Sequence, residues 1–174
     1  MSGIRLHVGG LSRHECWFVL DANPGDHVDH VGNCNDLSFL ADESCSEIYA
    51  SHVLEHLGYD GEILSTLKGF HRVLQPGGRL RVSVPDMETL CRLFVHPNMK
   101  VDGRFQVMRM LFGGRLNEHD VHLSGLDFHF LGNFLTQAGF RDIRRVPEFG
   151  EFADDGSGFS FMGVPVSCNI ACFK

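Results

Sequence analysis

A His-x-x-Glu-His pattern at His52, Glu55 and His56 offers side chains that could carry out chemistry. On a helix, residues four apart share a face, so the two imidazoles could hold Zn²⁺ while Glu55 activates a water molecule. This is the inverted zincin pattern of metallopeptidases. Such a site needs a third protein ligand, and no later acidic residue stands in a convincing setting for one. The zinc site is therefore one hypothesis, and the surrounding elements must test it.

A polar segment further along the chain adds three candidate residues. Residues 113–124 read as a loop that holds His119, Asp120 and His122. The two histidines are potential metal ligands. Histidines in loops are usually solvated, however, so this segment alone does not establish a metal site.

The elements around His52 predict a parallel sheet. Residues 48–51 are short, apolar and include β-branched and aromatic types, which is typical of a buried strand. Residues 61–74 carry apolar side chains at helical spacing and end at a Pro-Gly-Gly turn. Residues 79–84 then alternate as a second strand. A strand–helix–strand crossover of this kind implies parallel strands.

The ends of these two strands mark the place where a functional site is expected. In open parallel sheets, ligands bind beyond the carboxyl ends of the strands. The first strand ends at Ser51 and His52, and the second ends at Pro85 and Asp86. His52 thus lies at a strand–helix junction rather than inside a helix, which disfavours the zinc hypothesis.

The rest of the chain continues the alternation of strands and helices. Because strands alternate with helical segments, we expect an α/β fold with a mostly parallel sheet. Further strands are predicted at residues 5–8, 17–20, 28–31, 142–146 and 163–173, and further helices at 89–95, 105–112 and 126–138.

Length and composition exclude several classes of protein. The chain has 174 residues, which favours a single domain over residues 1–174. Its formal net charge is −7 with no cluster of basic residues, so nucleic acid and anionic membranes are not expected partners. No apolar run approaches the roughly 20 residues of a membrane span. Six scattered cysteines and an N-terminus without signal-peptide organisation predict reduced thiols in a cytoplasmic protein.

Three motifs together carry a family resemblance. They are Tyr-Ala-Ser-His-Val-Leu-Glu-His at 49–56, Arg-Val-Leu-Gln-Pro-Gly-Gly at 72–78 and Ser-Val-Pro-Asp at 83–86. In this order and spacing they resemble the class I S-adenosylmethionine-dependent methyltransferases, and most closely the small type 11 subgroup. The resemblance runs from about Arg5 to the C-terminus. It implies a Rossmann-like, doubly wound sheet whose last strand is inserted antiparallel between the fifth and sixth.

The resemblance also implies which residues bind the cofactor, S-adenosylmethionine. Gly9 and Gly10 would pass beneath its methionine part, where a side chain would collide with it; the family more commonly has Gly-x-Gly. Asp21 ends the second strand and would accept hydrogen bonds from both ribose hydroxyls. The alternative is that Asp21 only begins the Asp-Ala-Asn-Pro-Gly turn.

The adenine end of the cofactor is assigned by the same resemblance. Asn33, together with Cys34 or Leu37, would contact the adenine. The family usually has aspartate at the position of Asn33, but an amide oxygen can accept the same hydrogen bond without charge assistance. Asp36 is the alternative adenine contact or a helix cap.

Ser51 and His52 would line the cofactor near the reacting carbon. If the acceptor is a hydroxyl or an amine, a general base is useful, and His52 or His119 is the candidate. His56 is interpreted as a structural residue. Residues 89–125 would form a substrate lid or a dimerisation segment.

The resulting expectation is methyl transfer from S-adenosylmethionine to an unidentified small-molecule acceptor. The alternatives are a methyltransferase-like protein that binds without catalysis, and the zinc site on His52, Glu55 and His56; no metal ligand is assigned in the favoured interpretation. The first strand starts near Arg5, without the N-terminal helix that often covers the cofactor in this family. We therefore expect an open cavity unless the lid segment or a second subunit of a homodimer closes it.

Overall fold

Alternating and apolar segments of the sequence form the strands, and the amphipathic segments form the helices. The computed structural model describes residues 3–116, 120–152 and 156–174. The strands are β1 (Ile4–Val8), β2 (Phe18–Asp21), β3 (His30–Val31), β4 (Cys45–Ser51), β5 (Leu74–Pro85), β6 (Arg141–Val146), β7 (Ser160–Phe161), β8 (Val164–Pro165) and β9 (Ser167–Phe173). The helices are α1 (Glu62–Val73), α2 (Met87–Phe94), α3 (Val101–Phe112) and α4 (Phe128–Ala138).

Seven of these strands form one sheet in the order β3-β2-β1-β4-β5-β9-β6. Neighbouring strands from β3 to β5 pair in parallel, whereas β9 pairs antiparallel with both β5 and β6. The predicted α/β fold with a mostly parallel, Rossmann-like sheet is thereby confirmed. So is the last strand inserted antiparallel between the fifth and sixth. Strands β7 and β8 form a separate two-stranded ribbon.

One face of the sheet is apolar and carries the main core. Leu6, Ile48 and Leu80 are neighbours across β1, β4 and β5, and each is fully buried. Helix α1 buries Ile63, Leu67 and Phe70, and α4 adds Leu131 and Leu135 to the same core. The apolar residues of each helix recur at helical spacing and form one face, and alternate residues of the strands form the apolar face of the sheet. These two kinds of face pack against each other.

The opposite face of the central strands carries charged and aromatic side chains. Glu47 on β4 forms ion pairs with Arg5 on β1 at 3.2 Å, Arg79 on β5 at 2.6 Å and Arg81 on β5 at 2.8 Å. The guanidinium of Arg81 lies 4.8 Å from the ring centre of Tyr49. We call Glu47 and its three arginines the arginine network. It is partly covered by an aromatic cluster of Trp17, Tyr49, Phe149 and Phe152.

Two local predictions need correction. Helix α3 begins at Val101, so Asp102 and Gly103 lie inside it rather than interrupting it. The reason is position: an acidic side chain in the first turn favours the helix, and one glycine costs only about 1 kcal/mol. The segment after β4 forms only a short 3₁₀ turn, Leu54–His56, and His52 before it adopts a left-handed conformation with φ of 54°.

Within the described ranges, no helix is long and apolar enough to cross a bilayer. The longest, α1 and α3, have 12 residues each.

Candidate functional site

A cavity of about 650 Å³ opens at the carboxyl ends of the parallel strands. It lies where β1, β2 and β4 end, as the rule for open parallel sheets leads us to expect. Its wall is drawn from several separate segments of the chain. It includes Gly9, Leu11, Asp21, Asn33, Cys34, Asn35, His52, His56, Glu62, Val121 and Leu123.

The structure brings five of the predicted site residues to this cavity. Gly9, Asp21, Asn33, Cys34 and His52 all line it, although they come from four different parts of the chain. Each follows the end of a strand or lies in the loop beyond one. Because parallel strands end at the same edge of the sheet, residues at or after those ends lie close together there.

Four other predicted residues lie close by but do not line the cavity. Gly10 is packed against the ring of His7, and Leu37 is 4% exposed in the main core. Ser51 is buried at the end of β4, and the carboxylate of Asp36 accepts a hydrogen bond from the amide of Ser38 at 3.0 Å. His119 falls outside the described residues.

Gly9 has a conformation that a side chain would disturb even without a ligand. Its φ is +73°, and its amide donates to the carbonyl of Leu20 at 2.8 Å. A Cβ atom here would lie 2.7 Å from Cγ2 of Val53. Glycine is thus required by the turn, and it leaves backbone exposed at the cavity wall.

Asp21 takes part in a turn and also faces the cavity. Its Oδ1 accepts hydrogen bonds from the amide of Asn23 at 2.7 Å and from the Asn23 side chain at 3.1 Å. Among the described residues, Oδ2 of Asp21 has no hydrogen-bond partner. Both interpretations of this carboxylate are thus compatible, because one oxygen shapes the loop and the other can accept from a ligand hydroxyl.

Asn35 and Glu62 also line the cavity, and neither was predicted from the sequence. The side-chain amide of Asn35 donates to Oε1 of Glu62 at 2.9 Å, and Oε2 of Glu62 accepts from the amide of Gly58 at the same distance. Glu62 is the first residue of α1, a position that favours acidic side chains. Because this helix preference is enough to explain an acidic residue at position 62, the sequence gives no separate sign that Glu62 lines a site.

The thiol of Cys34 is held protonated. Burial, reinforced by the nearby charge of Glu62, raises its pKa to about 12. The Cys34 thiol at the cavity wall is thus an apolar contact rather than a nucleophile.

Selective alkylation tests this assignment. At pH 8, maleimide should modify the exposed Cys16 and Cys91 rapidly, while Cys34, Cys168 and Cys172, whose pKa values burial raises to about 12, react only after unfolding. Intact-mass spectrometry with peptide mapping gives the sites, and the urea-unfolded chain is the control for complete labelling. Modification of Cys34 as fast as Cys91 would contradict a protonated, half-buried thiol at this wall.

His52 connects the end of β4 to the C-terminal region. Its Nε2 lies 3.2 Å from both the carbonyl of Gly156 and Oγ of Ser167, and its Nδ1 lies 3.2 Å from Oε1 of Glu55. Both ring nitrogens are thus engaged. Action of His52 as a general base would require one of these contacts to break.

Glu55 is a buried carboxyl beside this histidine, with 2% of its side chain exposed. Burial opposes its ionisation, but the contact with His52 and the proximity of His56 outweigh this and lower the pKa of Glu55 below its ordinary value. The site therefore holds a carboxylate out of contact with water.

Part of the predicted lid segment closes one side of the cavity. The amides of Leu123 and Ser124 donate to the carbonyl of Glu55 at 2.8 and 3.1 Å, and Oγ of Ser124 donates to the carbonyl of Leu57 at 2.6 Å. Nδ1 of His56 lies 3.0 Å from the carbonyl of Val121. Residues 121–124 are thus fastened to the turn after β4.

Two further cavities adjoin the first. One of about 440 Å³ shares Leu123 with it and is mainly apolar, with Tyr59, Met87, Phe130 and Phe134 in its wall. The other, of about 130 Å³, shares His52 and includes Pro85 and His122.

Comparison with known proteins connects this geometry to a family. A family model described as "Methyltransferase domain" matches residues 19–82, which include β2, β4, α1 and most of β5. A SAM-dependent methyltransferase from Archaeoglobus fulgidus superposes with a TM-score of 0.63 at 15% identity, covering 99% of this chain and 86% of that one. An S-adenosylmethionine-dependent methyltransferase from Mesorhizobium loti gives 0.61 at 17% identity, covering 99% and 92%.

A third structure contains the cofactor. Human N-acetylserotonin methyltransferase in complex with SAM superposes with a TM-score of 0.56 at 12% identity, over 98% of this chain and 47% of that one. No curated protein gives a significant sequence match. At these identities the structures show the fold, and with the family match they confirm the resemblance to class I methyltransferases of the type 11 group.

Proposed function

On the premise of a class I methyltransferase fold with a matching methyltransferase domain, we propose that the protein binds S-adenosylmethionine and transfers its methyl group to a small-molecule acceptor. The observation that carries this proposal is the cavity at the strand ends. Gly9, Asp21, Asn33 and Cys34 come to it from the loops after three successive strands. Their order along the chain is the order in which the family resemblance assigns residues to the methionine, ribose and adenine parts of one extended ligand.

The residues present fit such a ligand. Oδ2 of Asp21 is available to accept from a ribose hydroxyl, and the backbone of Gly9 borders the cavity. Asn33 is exposed at the wall and can accept from an amino group through its amide oxygen. The protonated thiol of Cys34 and the side chain of Leu11 offer apolar contact to a planar base.

The bound cofactor supplies an activated methyl group on a sulfonium, so little further activation is asked of the protein. The chain's own residues would bind, orient and exclude water. Residues 121–124 are hydrogen-bonded to the carbonyls of Glu55 and Leu57, and they form the wall that would exclude water near His52.

The acceptor is proposed to be small and largely apolar. The cavity of about 440 Å³ is in the size range of small-molecule sites, and it meets the cofactor cavity at Leu123. Its wall is mainly aromatic and aliphatic, with Tyr59 and Ser124 as polar groups. This composition favours an uncharged organic acceptor over a polyanion.

One observation favours a second candidate function, a methyltransferase-like protein that binds the cofactor without catalysis. The ring nitrogens of His52 are already engaged by Gly156, Ser167 and Glu55. An acceptor that must lose a proton would then find no prepared base at this position.

Isothermal titration of the metal-free chain with S-adenosylmethionine and S-adenosylhomocysteine tests the proposal. We expect saturable, one-to-one binding of both, with adenosine alone binding more weakly because it lacks the methionine part. Absence of binding by a folded chain would overturn the proposal. Transfer of label from methyl-labelled cofactor to small-molecule acceptors then distinguishes catalysis from binding alone.

A further inference from the structure

Three potential metal ligands meet beside the cofactor cavity. One carboxylate oxygen of Glu55 and one ring nitrogen each of His56 and His122 all lie within 4.8 Å of one another. His122 is 66 positions after His56 in the chain (122 − 56), so only the fold brings them together. The imidazole rings are nearly perpendicular, with centroids 4.9 Å apart.

Each of the two histidines has its Nδ1 engaged by a backbone carbonyl. Nδ1 of His56 lies 3.0 Å from the carbonyl of Val121, and Nδ1 of His122 lies 3.1 Å from the carbonyl of Met110. A carbonyl can only accept, so each Nδ1 carries the hydrogen, and in the neutral form of each ring Nε2 presents a lone pair. Histidines that bind metals commonly use such an outer hydrogen bond to a backbone carbonyl.

Glu55 supplies a buried carboxylate whose one ion-pair contact among the described residues is with a histidine ring. Its side chain is 2% exposed, and neither carboxylate oxygen makes a well-formed hydrogen bond to any described residue. The closest side-chain partner that the structure gives it is the ring of His52, whose Nδ1 lies 3.2 Å from Oε1. Burial of a carboxylate is costly unless it is paired or coordinates a cation.

We propose that Glu55, His56 and His122 form a site for a divalent transition metal ion, with zinc as the favoured occupant. Two imidazoles and one carboxylate are a ligand set that Zn²⁺ takes in proteins. Three protein ligands leave an open coordination position. It would face the cavities, because His56 lines the cofactor cavity and His122 lines the small one beside His52.

This site differs from the zinc hypothesis raised by the sequence pattern. That hypothesis joined His52 to Glu55 and His56, but Nε2 of His52 is directed to Gly156 and Ser167. The loop histidine, His122, takes its place in the cluster. A bound ion would therefore tie the loop before α4 to the turn after β4, independently of any cofactor.

Metal titration of the full-length, tag-free chain tests the proposal. After chelator treatment and dialysis, Zn²⁺ is titrated in competition with a chromophoric chelator, and Co²⁺ is titrated with detection of its visible absorption bands. We expect one equivalent of Zn²⁺ and a Co²⁺ spectrum with nitrogen and oxygen ligands. His122→Ala and Glu55→Gln should weaken Zn²⁺ binding by more than the roughly 10–100-fold that loss of an outer-shell partner costs.

His129→Ala is the matched control, because His129 is exposed on α4 and lies outside the cluster. It should bind Zn²⁺ as the unmodified chain does. If Glu55→Gln fails to fold, His122→Ala decides the question, since it changes only a loop residue. No stoichiometric uptake, or equal affinity in His122→Ala and His129→Ala, would overturn the metal site. Cofactor binding is measured separately, on the metal-free chain. A negative result for the metal site therefore leaves the proposal of cofactor binding untouched, and the reverse also holds.

Discussion

Replacement of Glu47 by alanine is expected to lower the free energy of unfolding by about 3–5 kcal/mol, the cost of breaking a buried ion pair. Glu47 is 7% exposed and contacts Arg5, Arg79 and Arg81. Arg81 is itself 5% exposed. Without Glu47, its guanidinium keeps only the ion pair with Glu151 at 3.1 Å, so a buried positive charge loses its better-buried partner.

Urea unfolding followed by far-ultraviolet circular dichroism measures this loss. Glu88→Ala is the matched control, because Glu88 forms an exposed ion pair with Arg92 one turn along α2. Pairs of that kind contribute about 0.3–0.5 kcal/mol. Equal losses in the two variants would show that the arginine network contributes no more than a surface pair.

Replacement of Asp21 by alanine should weaken S-adenosylmethionine binding by about 1–3 kcal/mol, roughly 5–150-fold, with little change in stability. The stability should hold because the hydrogen bonds of Asp21 are local, reaching only Asn23 two residues on. Binding should suffer because its free oxygen is the proposed ribose acceptor. Titration calorimetry measures the affinity, and thermal unfolding checks the fold.

Asp26→Ala is the control for general loss of negative charge near the cavity. Asp26 is exposed in the same loop but does not line the cavity. It should leave the affinity unchanged. A folded Asp21→Ala variant that binds the cofactor as tightly as Asp26→Ala would assign Asp21 to the turn alone.

The central sheet could be predicted from the sequence because its signals are local. Short apolar runs marked β1, β2 and β4, and the alternation over residues 79–84 marked the second part of β5. The Pro-Gly-Gly segment, predicted as the turn before that strand, lies inside β5, where the pairing with β4 shifts register. The beginning of α3 was missed, because Gly103 suggests a break when its neighbours are read alone. In the structure the helix continues through it.

The site was only partly predictable, and the division has a physical cause. Asp21, Asn33, Cys34 and His52 follow strand ends, which a parallel sheet must gather at one edge. The cluster with His122 depends instead on how the loop before α4 folds back onto the turn after β4. The spacing of residues in the sequence does not predict this contact. The resemblance offered Leu37 as an alternative to Cys34 at the adenine, and in the structure Leu37 packs into the main core while Cys34 lines the cavity.

The arginine network also bears on how the strands find their partners. Arg5, Glu47 and Arg79 lie side by side on β1, β4 and β5, and Leu6, Ile48 and Leu80 form the next row on the other face. A shift of β4 by one residue would turn Glu47 into the aliphatic core and expose Ile48 to the arginines. Misaligned pairing of β4 would thus be unfavourable on both faces of the sheet. We therefore expect the arginine network to favour the native strand register during folding.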